Sequence, residues 1–379
     1  MELELSDEQL ELRDNVRQVL EGISPPAVVR AVYEDGASAD PVWAQMVELY
    51  WPAVAIPDDL GGLGLGFVEL AIVTEELGRA VAPGPFLATA TQFAPLVREA
   101  GSPEDHAAFL TPVAEGALTG TVALAEADRY ELAAVQTTAR PSADGWVLDG
   151  VKTSVFDGAT ADEIAVVARA DGFTGDDGIG VFVVPGVAAK ADARAVIDPT
   201  MPVADVRFDN VVVGEDRVLA APGDGRAARA VERAQQEATV ALAFATVGAC
   251  RLIFEATLQY AKDREQYGKP IGSFQALKHR LADMYLSVER ATALCYYAAL
   301  TIAEDDPRRA EAASLAKAAA GDCQRLLAQE GLQLHGGIGY TWEHDLHFLL
   351  KRAKSGGALL GTASAHRANL ARMLGLVPA

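Results

Sequence analysis

Apolar residues recur at helical spacing over the first hundred positions. Leu10, Leu12, Val16 and Val19 form one stripe, and Ser6 with Gln9 three residues on makes a capping box at its start. Further helical patterns cover 41–50, 67–80 and 85–100, with the four-glycine run PDDLGGLGLG from Pro57 to Gly66 between them. That run lacks the GxGxxG order and a preceding strand, which argues against a phosphate loop. Near Gly120 the period changes. Short β-branched runs follow, TVALA, AAVQTTA, GWVLDG, EIAVVARA, IGVFVVP and VRFDNVVV, separated by turn signals such as Asp144-Gly145 and Asp177-Gly178. From Gly225 the chain is helical again over 226–263, 276–304, 307–332 and 345–375, with breaks at Gly268–Gly272, Asp305–Pro307 and Gly336–Gly339. Helices, strands, then helices predict an α+β chain of three domains. These are an N-terminal helical domain (1–118), a small β-domain built as an antiparallel barrel or sandwich (119–222), and a C-terminal four-helix bundle (223–379).

Composition narrows the function. The chain has 379 residues, half of them hydrophobic, so a large core is available. No apolar run reaches the length of about 18 residues expected of a membrane span, and MELELSDEQLELRD has no signal-peptide core. Cys250, Cys295 and Cys323 have no CxxC spacing and read as buried thiols of a reducing cytoplasm. A net charge of −21 excludes nucleic acid as a partner and would repel an anionic substrate unless local basic patches intervene.

One such patch lies in Arg264 to Met284, REQYGKPIGSFQALKHRLADM. Arg264, Gln266 and Lys269 bring two cations and an amide together, while Gly268, Pro270 and Gly272 interrupt the helical pattern. Leu281, Met284, Val288, Ala291 and Cys295 restart it. These residues alone fit a helical hairpin with a basic elbow as well as a ligand-holding turn. A second stretch, QLHGGIGY from Gln333 to Tyr340, places a Gly-rich turn behind another helix. Together, in this order and separation, the two stretches resemble the R-x-Q-F/Y-G-x-x-I-x-x-F-Q and Q-x-x-G-G-x-G-Y/F motifs of the acyl-CoA dehydrogenase family. The resemblance covers nearly the whole chain, including the Gly-rich connection at 57–66. It implies the acyl-CoA dehydrogenase-like version of the three-domain fold, FAD as cofactor and assembly as a tetramer through the bundle. In that family a carboxylate removes the α-proton of an acyl-CoA thioester while the β-hydride passes to the flavin. One subunit's β-domain holds the flavin ring, and a neighbour holds the diphosphate and adenosine. By resemblance, the residues of that neighbour set are Arg264, Gln266, Tyr267, Phe274, Gln333, Gly336 and Gly337.

The rest of the family's site is degraded. Its T-E-P-x-x-G-S-D motif corresponds to Ala125, Glu126, Ala127 and Asp128 followed by Arg129-Tyr130. Its K-x-W-I-T/S-N-G motif corresponds to Lys152-Thr153-Ser154-Val155-Phe156-Asp157-Gly158. Ser154 stands where a tryptophan shields the flavin, and Phe156 where a hydroxyl bonds near N5. The base is missing: Glu-Gly-Thr of the family falls on Leu360-Gly361-Thr362, and its two alternative base positions fall on Ala238 and Ala245. Glu237 is one residue from the first, but one helical step turns a side chain by about 100°, so it reads as a solvated carboxylate. No catalytic residue is therefore assigned to this chain.

Ser355-Gly356-Gly357-Ala358 replaces residues that are often bulky aromatics in the family, which fits either a widened acyl cavity or a helix break. His344 and His347 share a possible helix face, but further metal ligands at helical spacing are missing, and no metal site is expected. The expectation is the base-lacking subunit of a heteromeric, FAD-dependent acyl-CoA dehydrogenase. Its partner subunit would carry the base, its substrate would be a bulky thioester of the steroid side-chain kind, and an electron-transfer flavoprotein or similar acceptor would take the electrons. A self-sufficient homotetramer with a relocated base and an inactive scaffold are the alternatives.

Overall fold

The computed structural model describes residues 4–223 and 225–377. The chain forms two compact units that interleave along the sequence. One comprises 1–38, 67–83 and 239–379; the other comprises 39–66 and 84–238.

The second unit begins with α3 (Asp40–Glu48). The Pro57–Gly66 run then folds back on the residues just before it through backbone bonds, including Leu63 to Ala53 (2.9 Å) and Gly64 to Ile56 (2.9 Å). Its amides are thus used internally, as a connection requires. Next come α5 (Phe86–Ala88), α6 (Ala94–Ala100), α7 (Pro103–Asp105) and α8 (Thr111–Ala114), joined by π-helical stretches at Thr89–Phe93 and His106–Leu110. Eight strands follow, β1 (Gly120–Ala123), β2 (Thr138–Ser142), β3 (Gly145–Phe156), β4 (Glu163–Ala170), β5 (Ile179–Pro185), β6 (Lys190–Ala193), β7 (Val203–Val213) and β8 (Val218–Ala220). Their order is β6-β7-β3-β2-β4-β5-β8, with β1 against β4.

The sheet is mixed rather than wholly antiparallel, because β1 and β2 both run parallel to β4. β2 and β3 share a two-residue hairpin and must be antiparallel, whereas β1 and β2 reach β4 through longer connections that leave direction free. β4 is buried on both faces. Ala165 and Val167 face a core with Phe93, Leu96, Leu110 and Val231, while Ile164, Val166 and Ala168 face one with Leu148, Phe182 and Phe208. That is why Ile164 to Ala168 is continuously apolar instead of alternating.

The first unit is helical. It contains α1 (Asp7–Ile23), α2 (Pro26–Asp35) and α4 (Phe67–Arg79), with the capping box at Ser6 and Gln9 in place. They are joined by the C-terminal part of α9 (Arg226–Asp263), α10 (Gln275–Ala303) and α11 (Arg309–His335). The expected fourth bundle helix is two helices, α12 (Leu346–Ala358) and α13 (Ala363–Met373). Leu360 and Gly361 take left-handed φ values of 54° and 96°, which ends α12, and the Thr362 side chain caps α13. α9 contains a stretch apolar enough by composition to cross a membrane, but 83% of it is buried, as in a core helix. Small residues let helices meet at their backbones: a Cβ on Gly78 would lie 2.0 Å from the Ala245 carbonyl oxygen, and one on Gly248 would lie 2.0 Å from that of Glu75. The three cysteines are buried and free.

Candidate functional site

The basic elbow is a small hairpin. β9 (Glu265–Gln266) pairs with β10 (Lys269–Pro270) across a two-residue turn in which Tyr267 (φ 55°) and Gly268 (φ 74°) are both left-handed. Arg264 anchors it, its amide donating to Tyr260 (2.8 Å) and its carbonyl accepting from the Ile271 amide (2.8 Å). The Arg264 guanidinium is exposed and bonds to no described residue, and so are the Gln266 and Gln333 amides. Tyr267 is 92% exposed. Phe274 is half-buried and already engaged, with the Lys269 ammonium 4.4 Å from its ring centre and Tyr267 edge-on at 6.2 Å.

The Gly-rich turn is a 3-10 stretch, Gly336–Tyr340, behind α11. Gly336 needs its freedom, at φ 62° and ψ −139°, and a Cβ on Gly337 would meet nothing within 4 Å, so a ligand has room to approach the backbone there. The two motifs are brought to the same end of the helical unit. Tyr260, one turn before Arg264, stacks on His335 at 4.6 Å, and His335 Nδ1 donates to the Gly331 carbonyl (2.8 Å).

The positions expected around a flavin ring form a different arrangement. Lys152 is fully buried, donating to Glu126 (2.7 Å) and to the Leu124 carbonyl (3.1 Å). Burial pushes its ammonium down to about 8 despite the Glu126 charge. Burial also resists ionisation of Glu126, but Lys152 and the Gln136 and Thr137 amides outweigh it and hold the carboxyl below its ordinary value. Ser154, at φ 52°, donates to Asp128 (2.8 Å). Arg194 donates to both Asp128 (2.7 Å) and Ser154 (2.9 Å) and pairs with Asp205 (2.7 Å). Phe156 is buried in β3. A cation held by two carboxylates thus occupies the neighbourhood of Ser154. No local pattern announces Arg194, which lies far along the chain from its partners.

The three base positions hold no acid. Leu360 is 7% exposed, and its carbonyl accepts from His366 Nε2 (2.9 Å). Ala245 lies beneath α4 at Gly78, where the helix backbones touch, and Ala238 is buried. Glu237 is not the solvated carboxylate its helical offset suggested. It is 2% exposed and takes a 2.6 Å bond from Arg98, a residue of α6 that no local pattern ties to it. Burial opposes the charge on Arg98, yet Glu237 outweighs it and raises the guanidinium further.

The small residues near Leu360 do not break α12, and its two glycines face neighbouring helices rather than open space. A Cβ on Gly356 would lie 2.2 Å from Thr246 Oγ1 and one on Gly357 3.1 Å from Gln324 Oε1, so they serve close helix packing. Among the described residues no group of His, Cys, Asp or Glu is arranged to hold a metal. His344 and His347 have other roles: His344 Nδ1 accepts from the Leu346 amide (3.2 Å), and His347 stacks on Trp342 at 4.4 Å.

Comparison with known proteins agrees across the chain. The family model "Acyl-CoA dehydrogenase, N-terminal domain" matches residues 6–117, and "Acyl-CoA dehydrogenase, C-terminal domain" matches 227–375. The acyl-CoA dehydrogenase IpdE2 of Mycobacterium tuberculosis is 32% identical over 93% of both chains. The ChsE4–ChsE5 complex of Mycobacterium tuberculosis superposes with a TM-score of 0.88 at 26% identity, covering all of both chains. The Tcur3481–Tcur3483 steroid ACAD superposes at 0.86 with 30% identity over 98% of each.

Proposed function

The chain belongs to the acyl-CoA dehydrogenase family, and from that premise we propose that it is the subunit of a heteromeric FAD-dependent dehydrogenase that supplies a cofactor arm and no base. In the arm, Arg264 makes charge-assisted bonds to the FAD diphosphate. Gln266 and Gln333 bond to phosphate or adenosine, Tyr267 and Phe274 add aromatic contact, and Gly336 and Gly337 let the backbone come close. An unpaired exposed guanidinium beside a glycine turn with open space fits that end of the cofactor. FAD, when bound, supplies the two-electron acceptor for α,β-dehydrogenation of the thioester. The partner chain holds the ring and carries the glutamate.

The observation that carries this reading is the closure of every family base position: Leu360 and Ala238 are buried, Ala245 is sealed by α4, and Glu237 is tied to Arg98. The Asp128–Ser154–Arg194–Asp205 cluster supports the partner as ring holder. Likeness to the ChsE4–ChsE5 complex supports a heteromer, and likeness to a steroid ACAD supports a bulky steroid side-chain thioester as substrate. Electron-transfer flavoprotein or a similar acceptor completes the cycle, and the assembly is a cytoplasmic tetramer built through the bundle.

Glu237→Gln tests the absence of a base. A true base contributes on the order of 10²–10⁴-fold to the rate. Turnover of an acyl-CoA thioester by the assembled protein is expected to change by less than about twofold, well below that range. Glu→Gln at the partner's base is expected to abolish it. A collapse of turnover on Glu237→Gln would make this chain the catalyst and overturn the reading.

A further inference from the structure

We propose that Trp342 positions the Gly336–Tyr340 turn for the cofactor, through a clamp built by α2 and α12; this rests on the reading of that turn as part of the FAD arm. Apart from Gly339, which is buried against α11 at Leu332 and His335, the turn has little to hold it by itself. Gly336 and Gly337 have open space around them, and Ile338 and Tyr340 are largely exposed. Its near end is fixed by the Tyr260–His335 stack. Its far end runs directly into Trp342, half-exposed on the surface yet gripped from several sides.

The indole Nε1 donates to Glu34 (2.6 Å) on α2. The ring stacks on His347 of α12 at 4.4 Å and 22°, with the Lys351 ammonium 4.3 Å from its centre. The Trp342 carbonyl accepts from Arg30 (3.0 Å) and from His347 Nε2 (3.1 Å). The grip is itself braced. Arg30 pairs with Glu34 (2.5 Å) and with Asp345 (2.6 Å) and lies 4.9 Å from the Phe348 ring, while Tyr33 packs on Phe348 at 4.6 Å.

A half-exposed indole contributes modestly to the core, so a network of this size around it calls for another use. Ordering a residue's backbone costs roughly 1–2 kcal/mol, and glycine loses the most freedom. A turn ordered before the ligand arrives spares the binding step that cost, which is how preorganisation raises affinity. Anchors at His335 and Trp342 leave only the short turn between them to settle on the cofactor.

The test uses the assembled protein stripped of cofactor and titrated with FAD. Arg264→Ala serves as the control for the arm itself. Trp342→Ala is expected to weaken FAD by about tenfold, the scale of ordering one further residue at the binding step. The melting midpoint of the stripped protein should stay within about 2 °C. Trp342→Phe keeps the ring over His347, loses the bond to Glu34, and should fall between the two. FAD bound as tightly by Trp342→Ala as by wild type, while Arg264→Ala loses it, would overturn the clamp. So would a midpoint that drops in step with affinity and is not restored by phenylalanine, which marks a merely structural role. Unchanged affinity in both variants would overturn the arm and the clamp together.

Discussion

Lys317 is the most unusual single residue of the helical unit. It sits 1% exposed on α11, and its ammonium donates to the Gly356 carbonyl (2.6 Å), with no carboxylate paired to it among the described residues. Burial pushes it down from the ordinary 10.5 to about 7, and the Cys295 thiol offsets this only in part. Between those two values the unfolded chain holds a proton that the folded chain does not, so this group makes stability rise with pH from about 7 to 10.5 and applies its full penalty below that window. Lys317→Met is therefore expected to stabilise the protein at pH 7 on the order of 1–4 kcal/mol, with the gain shrinking towards pH 10; unfolding midpoints measured across that range check it. A gain that does not shrink would show that packing, not the proton, is responsible. Nothing local in the sequence distinguishes Lys317 from a solvated lysine of an Ala-rich helix, because its burial is set by α12. The Arg98–Glu237 pair escaped for the same reason, its members standing 139 positions apart. The hairpin at Arg264 and the Gly-rich turn behind Gln333 were legible as turns because each motif is local and its residues stand together in space as they do in sequence.

Among elements, the contact of α4 with α9 turns on a single hydrogen. Alanine is a better helix former than glycine by about 1 kcal/mol, so propensity alone favours Gly78→Ala. The new methyl would instead stand 2.0 Å from the Ala245 carbonyl oxygen. Overpacking of this kind costs about 1–3 kcal/mol, and denaturant unfolding should show net destabilisation. A more stable variant would mean the helices separate freely there. Helix and strand identities were readable from period alone, since an amphipathic stripe or an apolar run reports what an element packs against. The break between α12 and α13 was less so. Leucine at 360 carries no breaker signal, and a left-handed leucine is held by its surroundings, here the His366 bond to its carbonyl. The parallel pairing of β1 and β2 with β4 was equally hidden, because strand direction follows connection paths that composition does not encode.

For the whole molecule, the decisive contrast is between a net charge of −21 and one cationic arm. Bulk charge would repel both FAD and an acyl-CoA thioester, so the proposed function needs a local cationic site, and it gives that role to the exposed Arg264. The family and its cofactor were legible from two short motifs. The departures from the family motifs were legible only as substitutions; the structure adds that Glu237 is bonded to Arg98, Ser154 to Asp128 and Arg194, and that Ala245 packs against α4 at Gly78. The central claim is that this chain lends FAD-binding groups across an interface and holds no complete flavin site of its own. The direct measurement is FAD per chain, read from the visible spectrum of the protein purified alone, with its partner chain, and with that partner but carrying Arg264→Ala. The account predicts little flavin in the chain alone and a yellow complex. It also predicts a loss of roughly 10- to 150-fold in cofactor affinity on Arg264→Ala, the worth of one charge-assisted contact. One FAD bound per chain in the protein purified alone would contradict it.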